Sequence, residues 1–165
     1  MAEAVAPVRA ERGPGEWGAA VTVVVFVAAH FLLRPLLVSW TVAPDLLAGG
    51  VLFASLHARP GTAAGVGFAA GLLEGAVALE AMGALAAILA LAGYGAARSR
   101  ELFFADSPLF LPVYVFVGVW ALRLAEQLAT GSVPGWTGWV LEAPASAIIT
   151  TVLVVVADRA VTPRP

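Results

Sequence analysis

The chain has 165 residues, of which 61% are hydrophobic and 12% charged, with a net charge of -2 and a mean hydropathy of +0.92. A water-soluble domain carries roughly a quarter of its residues as charges, so this composition excludes a soluble globule, and the absence of a basic footprint excludes a nucleic-acid partner. All nine cationic side chains are Arg, while Cys, Lys and Asn are missing, which removes disulfides, Cys-ligated zinc, thiol nucleophiles, P-loop lysines and Schiff-base lysines.

A bilayer core of about 30 Å takes roughly 20 apolar residues as a helix, and six segments compete for that role. Residues 1–16, with Arg9, Arg12, Pro14 and Gly15, read as a short flexible tail on the cytoplasmic side. A first span covers residues 17–40, with Trp17 and Trp40 at its ends, where interfacial indoles belong. Its apolar stretch is too long for a cleaved leader, so it is read as retained. Pro44 then breaks the chain before a second, shorter apolar run over residues 45–56 that contains Gly49 and Gly50. Further spans are expected over residues 62–79, 81–97, 108–129 and 139–157. The polar group Arg98, Ser99, Arg100, Glu101 and Asp106 forms one connection, and the Gly- and Pro-rich residues 130–138, with Trp136, form another. The expected architecture is an all-α membrane protein: a bundle of six short-looped transmembrane helices within residues 17–160, followed by a cytoplasmic tail at 161–165.

Arginine placement supports six spans. With a cytoplasmic N-terminus, the inner segments hold Arg9, Arg12, Arg59, Arg98, Arg100, Arg159 and Arg164, and the outer turns hold none. Removing the short second span would place Arg98 and Arg100 outside. Both termini are therefore expected in the cytoplasm.

In the third span Ala63, Gly67, Gly71 and Gly75 recur every four residues and line one stripe. Small side chains let another helix approach closely, the main route to association between apolar helices in lipid; a tight intramolecular contact is expected there rather than a dimer seam. The run Gly61-Thr62-Ala63-Ala64-Gly65-Val66-Gly67 is no phosphate loop, since no Gly-Lys-Ser/Thr follows.

Several charges fall inside spans. At 1.5 Å per residue Arg34, Glu74 and Arg123 lie about 22, 18 and 21 Å from the inner starts of their helices, which puts all three in the outer half of the bilayer. Asp45, Glu80, Glu126 and Glu142 fall near the outer helix ends. A lone charge at depth costs at least about 2.5–3.5 kcal/mol, so these groups should pair: Arg123 with Glu126 three residues on, and Glu74 with Arg34 or Arg123 from another helix. The same cluster could instead be a polar site open to the outside, for a ligand or a partner helix. Asp45, directly after Pro44, also suits the positive end of a helix dipole.

Catalytic groups are sparse. Ser55 and His57 lie two apart, but nothing orients them as nucleophile and base, and no rhomboid-type Gly-x-Ser-Gly occurs. The lone His30 reads as a packed or hydrogen-bonded side chain, and two histidines in different surroundings do not make a metal site. No enzyme, cofactor or metal is expected.

The order Pro44-Asp45-Leu46-Leu47, then Arg59-Pro60-Gly61, then Gly67-Phe68-Ala69-Ala70-Gly71-Leu72-Leu73-Glu74, then Gly93-Tyr94 before Arg98 resembles the MreD family of rod shape-determining membrane proteins. The size, the six spans and Ser107-Pro108 opening the fifth are also similar. The resemblance covers about residues 17–160, most of the chain. It implies a non-enzymatic scaffold of the bacterial cytoplasmic membrane, multi-pass, that maintains rod shape. Such a scaffold works with MreC, a single-span protein, and links MreB filaments to the glycosyltransferase and transpeptidase of peptidoglycan elongation. The rival class is the substrate-binding membrane subunit of an energy-coupling-factor transporter for a vitamin or metal, also a small six-helix protein. Against it stand the short outer turns and the bulky Phe26, Phe31, Leu32 and Leu33 of the first span, where such subunits carry small residues.

Overall fold

A computed structural model describes residues 14–37, 42–79, 81–102, 110–131, 135 and 138–162, and all regular structure among them is helical. The α-helices are α1 (Pro14–Leu37), α2 (Leu46–His57), α3 (Pro60–Ala78), α4 (Met82–Leu102), α5 (Phe110–Thr130) and α6 (Ala143–Val161), and a π-helical turn, Gly138–Glu142, leads into α6. Five of them, all but α2, are long and apolar enough to cross a membrane. Large apolar side chains stand exposed along them, including Val24, Leu32, Leu91, Val113 and Val152. Water would not tolerate so much exposed apolar surface, whereas lipid tails are as apolar as these side chains. This is a multi-pass membrane protein.

The second segment differs from the span expected of it. The twelve residues of α2 rise only about 18 Å, short of the roughly 30 Å hydrocarbon core. Residues 46–55 are all buried, and α2 touches each of the other five helices. It is apolar all round rather than along one stripe, the pattern of a helix enclosed by protein. The run is short because it is the axis of the bundle and meets no lipid. Gly49 and Gly50 serve that position: a Cβ at Gly49 would lie 2.9 Å from the Thr150 side chain, and one at Gly50 would lie 3.0 Å from Phe26 Cβ.

Contacts at the helix ends give the directions. His30 and Arg34 near the end of α1 meet Glu74 near the end of α3. Asp45, before α2, meets Arg123 late in α5 and Thr150 early in α6. At the opposite end, His57 closing α2 meets Asp158 late in α6, and Ser55 meets Tyr114 early in α5. Successive helices therefore alternate in direction, and Arg59, Arg98, Arg100 and Arg159 all belong to the end that holds His57.

Helices α3 and α4 form the most extensive pair, and small residues make it possible. A Cβ on Gly67 would run into the Leu89 carbonyl, one on Gly75 into Met82, and one on Gly93 into the Ala63 carbonyl. At Gly71 it would lie 2.5 Å from Ala86 Cα. The hairpin turns through Leu79 and Ala81, both left-handed at φ 56° and 43°, an uncommon conformation for residues with a Cβ. Helix bounds also differ from the sequence reading. α1 begins at Pro14, inside the segment read as a tail, with proline in the first turn where its missing N–H is not needed. α4 continues to Leu102 and takes in Arg98, Ser99, Arg100 and Glu101, which were read as a loop; arginines in a last turn suit the negative end of the helix dipole. Trp40, Glu80, Asp106, Ser107-Pro108 and Trp136 lie outside the described residues, as do Arg9, Arg12 and Arg164.

Gly71→Leu should disrupt the α3–α4 pair, because its side chain meets backbone that cannot yield; the expected loss exceeds the roughly 1–3 kcal/mol of ordinary overpacking. Gly65→Leu should be close to neutral, since a Cβ there meets nothing within 4 Å. Thermal unfolding of the two variants in detergent checks the difference.

Candidate functional site

Polar groups concentrate at the bundle end that holds the start of α2, in two adjacent nodes. The first is built on the turn before α2. Asp45 is the N-cap of α2, and its Oδ1 accepts from the Ala48 N–H at 3.0 Å, the bond that satisfies an otherwise orphaned donor in a first turn. Its own N–H donates to Thr150 Oγ1 at 2.8 Å, and Thr150 donates in turn to the Ser146 carbonyl at 2.9 Å. The Ala43 carbonyl accepts from Ser146 Oγ at 2.6 Å. Arg123 reaches over this turn from α5. Its Nη2 donates to Ser146 Oγ at 3.1 Å, and its Nε lies 3.0 Å from Asp45 Oδ2. The latter is a charge contact, since the Nε–H is not aligned for a hydrogen bond.

The second node joins α1 to α3. Glu74 Oε2 lies 3.0 Å from His30 Nε2, and Arg34 Nη1 lies 3.2 Å from Glu74 Oε1. A neutral His30 with its proton on Nε2 satisfies this contact and leaves Nδ1 buried without a partner. α3 packs chiefly on α4 and touches α1 little elsewhere, so this triad is the main link between the two helices. The side chains of His30 and Glu74 are 18% and 19% exposed and that of Arg34 33%; the node therefore lies at the bundle rim.

Of the residues expected to pair, Glu74 and Arg34 meet, and His30 joins them as a hydrogen-bonded side chain. Arg123 does not take Glu126 as its partner. It turns to Asp45, whose carboxylate is fixed by the α2 cap, while Glu126 makes no ion pair with it but stays within electrostatic range of Asp45, Arg123 and Glu74. A partner three residues away on the same helix would leave Asp45 enclosed with an unbalanced charge, and Arg123 removes that larger cost. Glu142 lies exposed in the π-helical turn. Sequence reading missed Ser146 and Thr150; their signal was a pair of hydroxyl residues four apart, on one face of an otherwise apolar helix. The family-motif residues divide: Pro44 precedes the cap, Gly93 is buried against α3, and Tyr94 is exposed.

At the opposite end His57 stacks on Phe53 with ring centroids 4.5 Å apart. Its Nδ1 lies 3.1 Å from the Phe53 carbonyl oxygen and its Nε2 3.3 Å from Asp158 Oδ1. Ser55 Oγ donates to the Leu52 carbonyl at 2.6 Å, so the Tyr114 hydroxyl donates to Ser55 across 2.7 Å. Ser55 and His57 thus face different partners on different helices. Among the described residues no three His, Asp or Glu side chains come together as metal ligands do. What these arrangements do chemically is close charge and hydrogen-bond circuits between helices. No family model, curated protein or solved structure matches the chain.

The pairing predicts an asymmetry. Asp45→Ala and Arg123→Ala should each destabilise the protein, by less than the roughly 3–5 kcal/mol of a fully buried pair because Arg123 is one-third exposed. The double variant should be more stable than the sum of the singles implies, and this coupling should exceed that between Arg123→Ala and Glu126→Ala, at two residues that make no ion pair. Unfolding of the single and double variants in detergent checks both cycles.

Proposed function

We propose that the chain is a six-span, non-enzymatic scaffold of the bacterial cytoplasmic membrane. In this reading it holds the lateral-wall peptidoglycan machinery together in the manner of MreD proteins, with a single-span MreC-type partner and the elongation glycosyltransferase and transpeptidase. The observation that carries the reading is where the motif residues fall. Pro44-Asp45 opens and caps the central helix, Gly67, Gly71 and Gly93 sit in the α3–α4 contact, and Glu74 ties α3 to α1. Several of the residues behind the resemblance join helices, as a scaffold requires. Six crossings follow if α2, with the extended residues on either side, carries the chain between the two bundle ends. The shared end of Arg59, Arg98, Arg100 and Arg159 is then cytoplasmic, and the polar nodes face outward.

Two measurements test the proposal. Leu79→Cys, at the 88% exposed α3–α4 turn, should react with an impermeant thiol reagent in intact cells. Thr162→Cys, after α6, should react only once the membrane is opened; reaction of both from one side would overturn the topology. Depletion in a rod-shaped host should round the cells and disperse the elongation enzymes while leaving their activity in membranes intact. Normal rods with a specific defect in uptake of one vitamin or metal would favour the transporter subunit instead.

A further inference from the structure

Helices α4 and α5 touch far less than α3 and α4, and between them a lateral groove of about 770 Å³ opens toward the lipid. It exists because small residues face one another: Ala92, Gly95 and Ala96 on α4 oppose Gly118 and Ala121 on α5, and Leu52 of the central helix forms the floor. The side chains at its rim, Leu91, Val113 and Val117, are exposed. Among the described lining residues only Ser99 and Tyr114 carry polar side-chain atoms, and both lie at the arginine end of the bundle. On α4 the lining runs from residue 88 to residue 99, a rise of about 16 Å; half of the roughly 30 Å hydrocarbon core is close to that. On α5 the lining runs from residue 110 to residue 125, about 22 Å, so the groove is one leaflet long or somewhat more, apolar along its length and polar at its arginine end.

Two cations, Arg98 and Arg100, stand at that end of α4, directly ahead of Glu101. Arg98 and Arg100 bracket Ser99, and at 100° per residue they project to either side of the groove. Arg100 lies in the same helical turn as Ser99 and so belongs to the polar end of the groove. Basic pockets between helices at the cytoplasmic face suit anionic headgroups, at about tenfold in affinity for each one or two well-placed cations. A partner helix, about 10–12 Å across with its side chains, would rest on the rim of Leu91, Val113 and Val117; a chain of methylenes reaches the Leu52 floor.

We propose that the α4–α5 groove binds one anionic phospholipid, an acyl chain lying along Ala92, Gly95 and Gly118 and the phosphate seated at Ser99 between Arg98 and Arg100. The inference depends on the topology proposed above only for which leaflet supplies the lipid, and not on the scaffold role. The test is lipid retention by the purified full-length chain. It is washed in detergent containing phosphatidylglycerol or phosphatidylcholine with identical acyl chains and weighed by native mass spectrometry. The expected result is one retained lipid per chain, with phosphatidylglycerol favoured roughly tenfold or more. Arg98→Gln with Arg100→Gln should keep a lipid but bring the preference within about twofold. Gly95→Trp, whose side chain enters open groove, should abolish retention, whereas Gly83→Trp, also in open space but outside the groove, should not. Equal retention of the two lipids by the unaltered chain, or an undiminished lipid on Gly95→Trp, would overturn the proposal. So would recovery of a single-span protein in place of lipid on the unaltered chain but not on Gly95→Trp.

Discussion

A helix enclosed by protein inside a membrane has little access to water, so the N–H groups and carbonyls left free at its ends are met largely by other parts of the chain. The central helix α2 imposes that demand on everything around it. At its start the Asp45 side chain takes the Ala48 N–H, the Asp45 N–H is taken by Thr150, and the preceding Ala43 carbonyl is met by Ser146. Toward its end the Leu52 carbonyl accepts from Ser55, the Phe53 carbonyl faces His57 and the Ala54 carbonyl accepts the Ala58 N–H. Two of these contacts bring in another helix, since Thr150 and Ser146 place α6; Arg123 on Asp45 and Tyr114 on Ser55 place α5, and Asp158 on His57 places the far end of α6. The helix is also narrow where it has to be. Gly49 and Gly50 admit α6 and α1 at van der Waals contact, the role small residues take where lipid supplies no hydrophobic driving force.

The charged groups follow from that demand. Asp45 caps the central helix, a capping carboxylate enclosed by protein needs a cation, and Arg123 supplies it. Glu74 and Arg34 answer a different need, because α1 and α3 share little packing and a polar tether holds them together. Such circuits add less to stability than their number suggests, since desolvation offsets much of the attraction. They reject alternative helix rotations, in which one partner would be left alone in lipid at a cost of several kcal/mol or about 2.5–3.5 kcal/mol at the least. For a chain proposed to present fixed surfaces to other membrane proteins, a single rotational register is the relevant property.

Much of this was legible in the sequence because length and hydropathy determine which helices can meet lipid. α1, α3, α4, α5 and α6 reach spanning length where apolar runs announced them, and the four-residue recurrence of Gly67, Gly71 and Gly75 marked a close-approach stripe before any neighbour was known. The short second run carried a different message: twelve residues without a polar face and with two adjacent glycines describe an enclosed axis. Partner choice was legible for Glu74, which meets Arg34, but not for Arg123. Glu126 is nearer to Arg123 along the chain, yet Asp45 is its partner, because pairing depends on how helices are rotated about one another. Ser146 and Thr150 escaped notice for a related reason: a hydroxyl inside a span can satisfy its own helix, and only the arrival of α2 gives these two a second task. The polar stretch after Ala97 was read as a loop, although arginines can extend a helix beyond the hydrocarbon as readily as end it.

The most direct test of the central claim uses the natural absence of cysteine to ask whether α2 lies between α1 and α6. Paired cysteines at positions 26 and 50, and in a second variant at positions 49 and 150, occupy sites where side chains meet within reach of disulfide geometry. Under mild oxidation in native membranes both pairs should close within one chain, while a control pair at positions 32 and 50, with Leu32 exposed on the outer face of α1, should not. Closure of only one pair, or of neither while the control reacts, would place α2 at the periphery and contradict the account of a buried axis.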